Sequence, residues 1–75
     1  MEKLIMKKVY GYNEVKKEMV KQLRNCFDEP ELAKEMQGGD ADWLIDENIE
    51  TVNEAINDSK MTFKSAINYA LEISL

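Results

Sequence analysis

Asp40, Asp42 and Asp46 stand at the spacing of positions 1, 3 and 7 of a calcium-binding loop, and carboxylates are the hard oxygen donors that ion takes. The remaining positions fail. Leu44 replaces the oxygen ligand at position 5, Ile45 the turn glycine at 6, and Thr51 the glutamate at 12. An acidic opening turn of a helix explains the aspartates better, because the helix dipole favours negative charge there. A general acid/base pair needs two carboxylates converging on an apolar face, and no spacing in this chain provides that. Histidine is absent, which excludes Cys/His zinc sites, histidine catalysis and near-neutral histidine switches. With no phosphate-binding glycine loop either, the chain reads as non-enzymatic, with no cofactor and no metal.

The single thiol, Cys26, cannot form an intramolecular disulfide, and a lone cysteine suits a reducing, cytoplasmic setting. Its spacing from Val15 and Met19 predicts a buried packing role. No signal peptide is expected, since Lys3, Lys7 and Lys8 break up the first ten residues. No stretch approaches the roughly 20 apolar residues of a membrane span.

Charge is segregated along the chain. Up to Arg24 there are seven basic residues against three acidic ones, whereas Glu35 to Ser59 holds eight acidic residues and no Lys or Arg. Like charges at that density repel unless something basic answers them, within the fold or from a partner. On the basic side, Lys17, Lys21 and Arg24 form a stripe that is either a solvated face or the answer to the acidic helix. On the acidic side, Asp46, Glu47, Glu50, Glu54 and Asp58 share one helical face with Trp43. Two readings of Trp43 stay open: a first-turn aromatic folded back over Met36 or the last helix, or an exposed anchor among carboxylates suited to a basic surface.

The elements that must position these residues are helical. Lys3 to Tyr10 suits a short helix or a strand, with helix preferred. Asn13 is the expected N-cap of a helix from Glu14 to about Phe27, buried through Val15, Met19, Leu23, Cys26 and Phe27. Asp28 with Glu31 forms a capping box around Pro30, opening a short helix that Gly38-Gly39 ends. Asp40 or Asp42 caps the next helix, which runs to about Asp58 with Ile45, Ile49, Val52 and Ile56 as its seam, widened by Ala41, Leu44 and Ala55. Thr62 opens the last helix, with Met61 and Ala66 stapled across the cap. Phe63, Ala66, Ile67, Tyr69, Ala70, Leu71 and Ile73 leave that helix apolar around more than half its circumference. The expected fold is all-α: a small helical bundle of three main helices plus one or two short helices, a single domain over residues 1–75. So apolar a last helix in so short a chain predicts a homodimer. Ile49 and Ile67 are expected in the core.

Leu32-Ala33, Met36, a glycine turn and Trp43 loosely resemble helix-turn-helix spacing, but Gln37 stands where the turn glycine belongs. The would-be recognition helix would offer Asp40, Asp42, Asp46 and Glu47 to phosphate, so direct nucleic-acid reading is not expected. What remains is a small protein-binding or regulatory domain acting through helix faces, self-associating, with a partner that carries a basic surface. The alternative is an acidic mimic of nucleic acid that occupies the basic groove of a DNA- or RNA-binding protein.

Overall fold

A computed structural model describes residues 9–75. Four helices follow one another: α1 (Tyr12–Asn25), α2 (Pro30–Gln37), α3 (Asp42–Asp58) and α4 (Phe63–Ser74). No strand occurs among the described residues, so the fold is all-α. Helix α1 packs against each of the other three, and α3 packs along α4. The expected helix over residues 3–10 lies mostly outside the described residues. Val9 and Tyr10 are in no regular element.

The chain starts α1 two residues before the expected place. Gly11, not Asn13, is the N-cap, and its N–H donates to Glu14 Oε1 at 2.9 Å. A glutamate three residues inside a helix can reach back to the cap in this way, so Asn13 is not needed there. At the other end, Asp28 does not cap α2. It takes a φ of 54°, a left-handed conformation that Asp tolerates better than most residues. That turn lets Glu29 N–H reach the Leu23 carbonyl at 2.7 Å and close α1. Pro30 then opens α2 in its first turn, where it has no hydrogen bond to lose. Gly39, at φ 93°, turns the chain out of α2.

Neither Asp40 nor Asp42 caps α3. Its N-cap is Ala41, without a side-chain bond, because Asp42 is drawn towards α1. Lys60 (φ 59°) closes α3, and Thr62 caps α4 by accepting Ser65 N–H at 3.1 Å. That last cap is the one expected.

One core joins all four helices through Met19, Leu23, Met36, Leu44, Ile45, Ile67 and Leu71, all fully buried. The seam of α3 enters it as expected at Ile45, Val52 and Ile56, while Ile49 is only partly buried at its edge. The structure therefore separates the two isoleucines. Ile67→Ala is expected to cost about 2–5 kcal/mol, as a fully enclosed aliphatic side chain does. Ile49→Ala should cost clearly less, because water already reaches the space it would vacate. Urea denaturation of both variants checks this, and equal losses would contradict the burial difference.

Candidate functional site

The outer face of α3 follows from its inner one. With Leu44, Ile45, Val52, Ala55 and Ile56 buried, a period of 3.6 residues turns Trp43, Glu47, Glu50, Glu54 and Asp58 together to the opposite side. Asp46 lies at the edge of this row. All six residues are exposed, so the structure does bring the expected surface residues onto one solvent-facing strip. Trp43 is 52% exposed, so about half of its surface is open to solvent. Leu44 beside it is fully buried, which fixes the helix rotation and leaves the indole outside.

The one ion pair among the described residues is Lys16 Nζ to Asp42 Oδ1, 3.2 Å apart. It is a charge contact without hydrogen-bond alignment at that oxygen. The stripe Lys17, Lys21 and Arg24 does not answer the acidic row. All three are exposed, and Arg24 Nη2 donates to Gln37 Oε1 on α2 instead. The shallow groove beside this stripe is also lined by Glu14 and Glu18. Its end is formed by Tyr10 and Phe63, whose rings stack at 4.1 Å. Carboxylates so close to the lysines weaken that groove's pull on phosphate.

Two buried amides tie the helices together, and neither was anticipated from sequence. Gln22 (5% exposed) donates to Glu18 Oε2 and to the Lys64 carbonyl, both at 2.9 Å, and accepts from Asn68 Nδ2 at 3.2 Å. Asn48 (4% exposed) donates to the Leu44 carbonyl and to Ser74 Oγ, both at 2.9 Å. The available signal was position rather than type. Gln22 follows Val15 and Met19 on the α1 seam, and Asn48 stands midway between Leu44 and Val52 on that of α3. Cys26 is the converse case, for it is exposed rather than buried. As C-cap of α1, Cys26 keeps αR dihedrals and its N–H donates to the Gln22 carbonyl, so it follows the helical path. It lies, however, beside an open depression with Lys64, Ser65 and Asn68 rather than under a covering helix. The thiol should therefore react fully with a water-soluble disulfide reagent in the native protein. Reaction only after denaturation would contradict this placement.

Tyr12 and Asp42 form a polar contact between the first turns of α1 and α3. Partial burial, then the hydrogen bond and charge of Asp42, push the Tyr12 phenol up to about 12. The Tyr12 hydroxyl, helped by the Lys16 ammonium, holds the Asp42 carboxyl below its usual range against partial desolvation. For Tyr12 the folded value is raised, so its contribution to stability is complete below pH about 10 and is lost as pH rises through about 12. For Asp42 the folded value is lowered, so its contribution holds above the ordinary carboxylate range and is lost as pH falls through the folded value.

Among the described residues no group of three or more acidic, cysteine or histidine side chains is placed to hold a metal ion. None of the described helices is long and apolar enough to cross a membrane. Comparison with family models, with curated proteins and with solved structures finds no match for this chain.

The Tyr12–Asp42 contact generates a pH prediction. Between pH 10 and 12 the melting temperature of the parent should fall more steeply than that of Tyr12→Phe, which keeps the ring and lacks the titrating hydroxyl. Parallel curves for the two proteins would remove this contact from the account.

Proposed function

We propose that this chain is a small non-enzymatic protein-binding domain of the cytoplasm that presents the outer face of α3 to a partner with a basic surface. The observation that carries the reading is a half-open tryptophan within a row of exposed carboxylates, none of them in an ion pair among the described residues. A row of like charges on one helix face repels itself, and a cationic partner converts that repulsion into attraction. Trp43 supplies the large aromatic surface around which such interfaces concentrate their binding energy.

A second reading is favoured by the regularity of the row. Glu50, Glu54 and Asp58 step by four residues, about 6 Å apart along the axis, giving evenly spaced anionic groups as a nucleic-acid strand does. On this reading the partner is a DNA- or RNA-binding protein, and duplex DNA or RNA would compete with the chain for it.

The self-association expected from α4 has a narrower base than the sequence implied. Ala66, Ile67, Ala70 and Leu71 are buried by the chain's own fold, leaving Tyr69, Ile73 and Leu75 exposed. We therefore place the functional contact with a basic partner rather than with a second copy.

A partner captured from the source cell's lysate at low salt and released at high salt provides the assay. Trp43→Ala should weaken that partner's binding by more than about 2 kcal/mol with little change in melting temperature. Glu47→Gln with Glu50→Gln should mainly slow association and flatten its salt dependence. A Trp43→Ala protein that melts early yet binds normally while folded would assign the indole to the fold and defeat the proposal.

A further inference from the structure

Beside the acidic row runs an apolar strip that the fold leaves uncovered. Tyr69 (41% exposed) and Ile73 (61%) lie one turn apart on the same side of α4. The register between α3 and α4 is set by the Asn48–Ser74 pair. It places the Tyr69 ring against α3 at a shallow depression of about 310 Å³ lined by Thr51, Glu54, Ala55, Asp58 and Met61. One wall of the strip is therefore aromatic and aliphatic, and the other carries the carboxylates of Glu54 and Asp58. Both of those side chains are exposed and outside any ion pair among the described residues.

We infer that the α3–α4 edge is a dock for an amphipathic basic helix, laid with its apolar side on Tyr69 and Ile73 and its Lys or Arg side on Glu54 and Asp58. This rests on the proposed reading of the acidic face and adds the chemical class of the partner. The occupant follows from complementarity. Two apolar side chains one turn apart match a helix whose own apolar residues recur at i, i+3 or i+4 and i+7. The carboxylates beside them reward cations on the flank of that helix. A second copy of this chain fits less well, because its α1 lysines lie opposite an apolar side already buried in the core. A purely electrostatic partner leaves Tyr69 and Ile73 unused.

The test uses the full chain and two synthetic helical peptides of equal positive charge, one with leucines along one side and one with those leucines replaced by glutamine. By isothermal titration calorimetry the leucine peptide should bind at least about tenfold more tightly, since burying even two apolar side chains is worth that much. The double variant Tyr69→Ser with Ile73→Ser should lose most of that advantage and bind the glutamine peptide as the parent does. Glu54→Gln should weaken both peptides. Because Tyr69 and Ile73 are exposed, the double variant should keep its fold, which its circular dichroism melt verifies. Equal affinity for the two peptides would overturn this inference and leave the acidic-face reading standing. Binding of neither peptide would overturn both. A parent that sediments as a dimer and becomes monomeric in the double variant would assign the strip to a second copy and also overturn the inference.

Discussion

Everything on the outside of this protein depends on the rotation of α3. That helix carries its aliphatic residues on one side, with Trp43 alone among its large apolar residues on the other, and both α1 and α4 pack against it. Burying Leu44, Ile45, Val52 and Ile56 removes most of the apolar surface that α3 can offer a small core. A rotation of one residue, about 100°, would place carboxylates inside, at a desolvation cost that no nearby cation offsets. The acidic row is thus exposed as a consequence of the hydrophobic seam, and Trp43 is carried out with it.

Polar contacts then fix what the apolar ones leave loose. An aliphatic seam tolerates sliding between helices, whereas a buried amide with specific partners does not. Asn48 holds the start of α3 against the end of α4, and Gln22 holds α1 against the opening turn of α4. The Tyr12–Asp42–Lys16 contact secures the first turn of α3 to α1. These three ties lie in different parts of the bundle, so together they set the helices' relative positions. The Tyr69 and Ile73 strip lies beside the acidic row for the same reason.

The seams of α1, α3 and α4 were legible in the sequence because helical periodicity is a global signal that survives errors at the ends. The acidic face was legible by subtraction, as the side opposite Ile45 and Val52. Helix ends were less so. Asn13, Asp28, Asp40 and Asp42 are all good cap residues by type, yet tertiary demands decided otherwise. Gly11 is served by Glu14, Asp28 is used for its left-handed turn, and Asp42 is taken up by α1. Cys26 fitted the seam, but no helix covers it there. Gln22 and Asn48 occupied core spacing while looking like surface residues, and their partners Lys64 and Ser74 lie far away in the chain. Local pattern carries no information about such pairs.

Among the described residues, Asp46, Glu47, Glu50, Glu54 and Asp58 pair with no cation of the protein, and of the α3 carboxylates only Asp42 does. The most direct test of that isolation is the urea midpoint of the full chain as ionic strength is raised with sodium chloride, from a Debye length of about 30 Å to about 8 Å. If the row repels itself, screening should stabilise the fold, and the midpoint should rise over this range. A midpoint that falls with salt would mean that internal ion pairs outweigh the repulsion, and the acidic face would then belong to the fold rather than to a partner.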